Sequence, residues 1–250
     1  MSASSIGRWV VRLKERFGAF DPRPFHPEGP TLLELAEQAL SSTEHGYDLL
    51  APKFDRTPFR TPDGFIERSL EGVSGDAALD LCCGTGAAMA ILRARGFDRV
   101  VGIDRSAGML DQARQRVQDA ELIRGDALNP PSSLHGQLDV VTCYGAFGHI
   151  DEHDEGRLCD AVYDCLRPGG RFVFITSTMP RLTSPAWWVA RGFNGAMRVR
   201  NALIDPPFVM YYLTFLLPRA RALLEARGFL VAARETPEVP RLWVVHAIKR

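Results

Sequence analysis

From Ala77 onward the chain alternates short apolar runs with helical stripes of about ten residues, and this alternation restricts the fold more than any other feature of the sequence. Ala77–Leu81, Arg99–Ile103, Leu122–Ile123, Leu138–Tyr144 and Arg171–Thr176 read as strands, with helices at Ala87–Arg95 and Ser106–Gln118 and a helix face at Leu158, Val162, Cys165 and Leu166. Strands separated by helices pair in parallel through right-handed crossovers. Pro218–Arg227 reads as a further helix closed by Gly228. The runs Phe229–Ala233 and Trp243–Ile248 lie too close together for a helix between them and should pair antiparallel at one end of the sheet.

The first 75 residues follow a different pattern. Four prolines between Asp21 and Pro30 exclude a regular element there. Thr31 and Glu34 have capping-box spacing ahead of a leucine stripe, and Thr61-Pro62 reads as an N-cap followed by Pro at the first helical position. Residues 1–75 are therefore expected to form an N-terminal helical cap, and 76–250 the α/β domain. The segment 177–217 is too long for a simple connection and holds Trp187, Trp188, Phe193, Phe208, Tyr211, Tyr212 and Phe215, as an inserted lid would.

Thirty basic residues balance thirty acidic ones, which disfavours a nucleic-acid partner. The five cysteines, Cys82, Cys83, Cys143, Cys159 and Cys165, fit neither a disulfide framework nor metal-ligand spacing, and no metal is expected. Met1 to Phe20 lacks the apolar core of a signal peptide, and no apolar run reaches the roughly 18 residues of a membrane span. These features imply a cytoplasmic chain with no stable membrane span; its oligomeric state is not legible.

Three motifs end successive strands on one edge of the sheet. Leu79-Asp80-Leu81-Cys82-Cys83-Gly84-Thr85-Gly86 joins the first strand to the first helix, where glycines permit positive φ and let a ligand approach the backbone. Val100-Val101-Gly102-Ile103-Asp104 ends the second strand in a carboxylate able to hold a ribose diol. Gly125-Asp126-Ala127 follows the third strand, and Asp126 could accept from an adenine amino group. A nicotinamide fingerprint would need a third glycine where the chain has Met89, which argues against a dinucleotide oxidoreductase.

With Asp139–Tyr144 and the Arg167-Pro168-Gly169-Gly170 turn added, these motifs resemble the class I S-adenosylmethionine (SAM)-dependent methyltransferases, from about Ala77 to Arg250. Gly46–Asp55 resembles the stretch preceding that fold in small-molecule members akin to the quinone-biosynthesis methyltransferases. The resemblance implies a Rossmann-like, mostly parallel seven-stranded sheet with helices on both faces and an antiparallel last strand. It implies SAM as cofactor, with Tyr47 covering it, Asp80 and the Gly84/Gly86 turn beside the methionine part, and Asp104 on the ribose. Met109 would touch adenine, Asp126 and Ala127 would meet its edge, and Tyr144 would end the fourth strand at the cofactor. Cys82 stands where the family has glycine and implies altered packing if its φ is positive.

Asn129-Pro130-Pro131 and Asp205-Pro206-Pro207-Phe208 resemble an amino-methyltransferase motif but do not end the fourth strand, and they read as proline turns. His149, a few residues beyond that strand, is the candidate general base, with Glu152 and His153 nearby. The expected reaction is methyl transfer to a small, apolar or aromatic acceptor under a lid from 177–217. The competing readings are an NAD(P) oxidoreductase and a non-catalytic SAM-binding protein.

Overall fold

The computed structural model describes residues 21–250, so the expected contribution of Met1 to Phe20 to the cap lies outside the described residues. Helices α1 (Leu32–Leu40) and α2 (Thr43–Leu50), a 3-10 turn (Ala51–Arg56) and helix α3 (Asp63–Ser69) precede the sheet. The capping box at the start of α1 forms as its spacing requires: the Thr31 hydroxyl accepts from the Glu34 amide at 3.2 Å, and the Thr31 amide donates to Glu34 at 2.8 Å. Helix α3 starts one residue later than Thr61-Pro62 suggests, with Pro62 as its N-cap and no side-chain cap.

Alternation then sets in: β1 (Ala77–Leu81), α4 (Ala87–Ala94), β2 (Arg99–Asp104), α5 (Ala107–Arg116), β3 (Glu121–Arg124), β4 (Leu138–Cys143), α6 (Glu155–Cys165) and β5 (Leu166–Ser177). Helices α7 (Pro185–Leu203) and α8 (Leu217–Glu225) and strands β6 (Phe229–Glu235) and β7 (Leu242–Lys249) complete the chain. The sheet order is β3-β2-β1-β4-β5-β7-β6. β1 to β5 pair in parallel, and β7 enters antiparallel between β5 and β6. The expected antiparallel pair is thus present, with β6 at the edge. Arg167 to Gly170 bulge out of the ladder between the pairs Leu138–Leu166 and Val140–Arg171, so β5 begins earlier than Arg171.

Strand periodicity divides the core between the two faces of the sheet. Leu79, Leu81, Val141 and Cys143 pack with Leu158 and Val162 of α6 and Ala220 and Leu224 of α8. Ala78 and Val140 point the other way, to Ile66 of α3, to Leu70 just after it, and to Met89 and Leu92 of α4. Burying each large apolar side chain contributes roughly 1.5–3 kcal/mol. Among the described residues no helix is long and apolar enough to cross a membrane.

Met89 marks where close helix-to-strand packing is achieved. It is fully buried, and a Cβ on Gly102 of β2 would lie 2.5 Å from its sulfur and 2.9 Å from Cys83 Sγ. The missing side chain is on the strand rather than on the helix, which answers the absent third glycine of the dinucleotide pattern. Gly102→Ala should therefore cost about 1–3 kcal/mol by overpacking. In urea denaturation the cost should shrink on a Met89→Ala background; additive losses would show that the two positions do not compete for this space.

Candidate functional site

β1 and β4 are neighbours, but their next neighbours lie on opposite sides, so the strand order reverses between them. A crevice opens beyond the carboxyl ends of strands at such a point. A cavity of about 280 Å³ lies there, lined by the strand-end residues Asp80, Asp104, Asp126 and Tyr144 and closed from above by the N-terminal segment and His149. That volume suits a small molecule rather than a chain.

Asp104 organises the floor. One of its oxygens accepts the Gly84 amide at 2.9 Å and the other the Ser106 amide at 2.9 Å. The carboxylate thus ties the glycine turn after β1 to the start of α5, where the Ser106 hydroxyl caps the Met109 amide at 3.1 Å. Burial pushes the Asp104 pKa up although hydrogen bonds from the backbone of Ser106, Gly84 and Arg105 oppose the shift. Asp80 is buried, and its carboxylate accepts from the Thr142 hydroxyl at 2.6 Å. Burial raises its pKa to about 7, the Thr142 bond opposes this, and the nearby Asp104 charge adds to it.

The two glycines of the turn separate in role. Gly84 and Gly86 both have positive φ, +52° and +79°. A Cβ on Gly84 would meet no atom within 4 Å, because the position faces the cavity it lines. A Cβ on Gly86 would come within 3.1 Å of the Ala113 Cβ. Gly86 therefore packs against α5 and stands outside the cavity lining. Cys82 has φ +54°, a conformation that costs a residue with a Cβ about 1–2 kcal/mol, and it lines the cavity.

Met109, Ala127 and Tyr144 line the cavity, and the Tyr144 hydroxyl shares a 2.7 Å hydrogen bond with Ser69. Asp126 also lines it, but its carboxylate already accepts from the Leu128 amide at 3.0 Å and pairs with Arg105 at 2.5 Å.

The N-terminal segment reaches the site through acids that the periodicity of the sequence does not reveal. Asp48 accepts from the Ser106 hydroxyl at 2.6 Å and the Gly108 amide at 2.9 Å, adding to the cap of α5 from another element. Asp55 accepts from Thr85 of the glycine turn at 2.8 Å and pairs with Arg116. These anchors bring Tyr47 over the cavity, where its hydroxyl lies 2.8 Å from His149 Nε2. His149 Nδ1 lies 2.7 Å from the Val209 carbonyl. A carbonyl only accepts, so Nδ1 carries the proton and Nε2 accepts from Tyr47. Burial lowers the His149 pKa below its ordinary 6.5 and raises that of Tyr47, so both are neutral at neutral pH.

The aromatic side chains of the segment 177–217 do not line the cavity. Of the segment 177–217, Val209 is the residue that lines the cavity. Phe215 is buried in the core, with ring centroids 4.7 Å from Phe147 and 5.5 Å from Phe174. Phe208 is buried and stacks on Tyr47 at 6.3 Å, whereas Trp188 is exposed. The segment acts through its backbone instead: Val209 O holds His149, the Tyr211 amide donates to Gly148 O at 2.8 Å, and the Val209 amide donates to the Thr43 hydroxyl at 2.7 Å.

Glu152 and His153 stand outside the cavity lining. The sequence offered no metal cluster, but the fold gathers Asp151, His153 and Asp154 with possible ligand atoms within 4.8 Å. Arg157 already bonds Asp154 at 2.8 Å, and His153 is exposed, so the group reads as an ion-paired turn.

A family model described as a methyltransferase domain matches residues 78–170. Over 172 residues the chain is 30% identical to a demethylmenaquinone methyltransferase of Lactiplantibacillus plantarum, covering 61% of this chain and 70% of that one. Over 116 residues it is 34% identical to the enzyme of that name from Oceanobacillus iheyensis, covering 44% of this chain and 48% of the relative, so here the match spans about half the relative's length. An O-methyltransferase family protein from Burkholderia thailandensis superposes with a TM-score of 0.62 at 15% identity, over 99% of this chain and 70% of that one, a likeness of fold.

Asp80 also makes folding depend on pH. Its pKa rises from 3.8 unfolded to about 7 folded, so its favourable contribution is complete below pH 3.8 and is lost as pH rises through 7. Asp80→Asn should flatten the stability–pH curve between those limits by a few kcal/mol in urea titrations. An unchanged curve would show that the carboxyl is solvated in the native state.

Proposed function

Because the chain belongs to the class I SAM-dependent methyltransferase family, we propose that the cavity at the β1/β4 reversal binds SAM and that the protein methylates a small acceptor, giving S-adenosylhomocysteine. The observation that carries this reading is the pair of carboxylates at the ends of β1 and β2 around a cavity-facing Gly84. SAM supplies an electrophilic methyl group on a positive sulfur and carries an ammonium group, a ribose diol and an adenine.

The residues present fit those groups. Asp80 is a carboxylate whose pKa is raised by burial and by the Asp104 charge, and an ammonium would offset both. Each Asp104 oxygen has accepted one backbone hydrogen and keeps lone-pair capacity for a diol. Gly84 admits a ligand against the backbone, while Met109 and Ala127 offer apolar contact to a base. Asp126 would share its carboxylate between Arg105 and the adenine edge. The described residues of the expected 1–75 cap, with Tyr47 at their centre, would exclude water from above.

An acceptor hydroxyl meeting Tyr47 could pass its proton to the Tyr47 oxygen as the Tyr47 proton moves to His149 Nε2. The Val209 carbonyl keeps the ring in the required tautomer. In-line placement and a dry site supply the rest of the catalysis. The relatives are named for demethylmenaquinone, and a quinone or aromatic ring suits an acceptor site bordered by Phe54, Phe59 and Ile150.

Calorimetry with S-adenosylhomocysteine should show binding that Asp104→Ala weakens by about 1.5–3 kcal/mol, roughly 10- to 100-fold. Binding of NAD without binding of SAM would overturn the assignment. SAM affinity should rise with pH through about 7 as Asp80 ionises, and Asp80→Asn should bind weakly at every pH.

With an aromatic hydroxyl acceptor, His149→Ala and Tyr47→Phe should each lower kcat by about 10²-fold or more. Because the His149 pKa is depressed, the acid limb of the wild-type kcat profile should fall below pH 6.5. Unchanged kcat in both variants would leave proximity alone as the catalytic device.

A further inference from the structure

Helix α7 presents apolar side chains to solvent. Its inward positions are Ala190, Asn194 and Met197, and polar groups fasten that side to the protein. Asn194 bonds both backbone groups of Tyr212, at 2.9 and 2.8 Å, Asn201 bonds both backbone groups of Phe208, and Arg200 donates to the carbonyls of Ala39 and Ser41. At about 100° per residue the opposite arc carries Trp188, Val189, Val199 and Leu203, with only Pro185, glycine and alanine between them. These four are 64%, 70%, 60% and 70% exposed. The Trp188 ring nitrogen donates to Leu182 O at 2.9 Å, which brings the exposed Leu182 beside the same face.

Charge indicates what covers this face. From Thr178 to Ile204 the chain has Arg181, Arg191, Arg198 and Arg200 and no acidic residue. Arg191 and Arg198, seven residues apart, run along one border of the apolar arc; both are exposed, their guanidiniums lie over the Trp187 and Tyr211 rings at 5.3 and 5.8 Å, and neither forms an ion pair among the described residues. A second copy laid on this face would set arginine against arginine, with no acid on the helix to meet it. An exposed Trp beside apolar residues, bordered by arginines, matches the physical requirements of the boundary between anionic headgroups and acyl chains.

We propose that the outer face of α7 docks the protein on an anionic lipid bilayer, with Trp188, Val189, Val199 and Leu203 immersed and Arg191 and Arg198 on the headgroup phosphates. The helix lies in the plane of the interface and does not cross it. Its inward face holds the loop whose Val209 fixes His149, so docking sets the acceptor end of the cavity in a defined orientation to the membrane. This inference does not depend on which cofactor the cavity takes.

The test is co-flotation of the full chain with phosphatidylcholine vesicles, with and without phosphatidylglycerol, at low and high salt. Binding is expected to the anionic vesicles, with a blue shift of tryptophan fluorescence and weakening by salt. Trp188→Glu and Val199→Glu should each reduce binding at least about tenfold, and Arg191→Glu with Arg198→Glu should reduce it comparably at low salt. The substituted positions are exposed, so thermal unfolding and S-adenosylhomocysteine affinity should stay at wild-type values, separating lost docking from lost folding or a lost cofactor site. The proposal is overturned if wild type ignores anionic vesicles, if the α7 variants float as wild type does, or if wild type is a stable dimer that the same substitutions dissociate.

Discussion

The Asp104 carboxylate is the constraint on which the rest of the site depends. Its two oxygens bind the amides of Gly84 and Ser106, joining the turn after β1 to the end of β2 and the start of α5. One bond is local and the other crosses from β2 to the turn after β1, and neither requires a ligand. The floor of the cavity is therefore preformed, and the energetic burden falls on keeping a carboxylate in a poorly solvated place, as its raised pKa shows. Asp80 extends the same logic one strand away with a hydroxyl partner, and burial raises its pKa as well.

Closure over this floor is polar in its anchoring and apolar in its bulk. Asp48 and Asp55 fasten the N-terminal segment to the start of α5 and to the glycine turn, while Phe208 stacks on Tyr47 from above. Gly46 makes that stacking possible, since a Cβ there would stand 2.7 Å from the Phe208 ring. The inserted segment and the N-terminal segment thus form one cover, held together through the Thr43–Val209 bond. Satisfying its inner face with asparagine and arginine contacts leaves the apolar residues of α7 on the outside. Exposed surface of that kind, at about 25 cal/mol per Å², is what an interface or a bilayer recovers.

The sheet was largely legible from the chain. Period-two strands, helical stripes and punctuation by Gly and Pro report directly on which face of each element is buried, and β1 to β5 follow them closely. The acids ending β1 and β2 were legible for the same reason, because the end of a parallel strand next to a glycine turn is a defined place in this architecture. The position of β7 between β5 and β6 was not, because pairing order depends on which edge is free.

By itself the sequence determined the alternation of elements and the row of strand-end acids. Each of these is written in spacing within one element or across one turn. Tertiary structure alone decided that Gly84 faces the cavity and Gly86 faces Ala113, since a glycine's role depends on what stands opposite its missing Cβ. It also decided that Phe215 fills the core while Trp188 faces solvent. The pairing of Tyr47 with His149 joins residues 102 positions apart, and only the docking of one segment on another can set such a contact. Periodicity tells a side chain which way to point from its own element, but its partner is fixed by packing between elements.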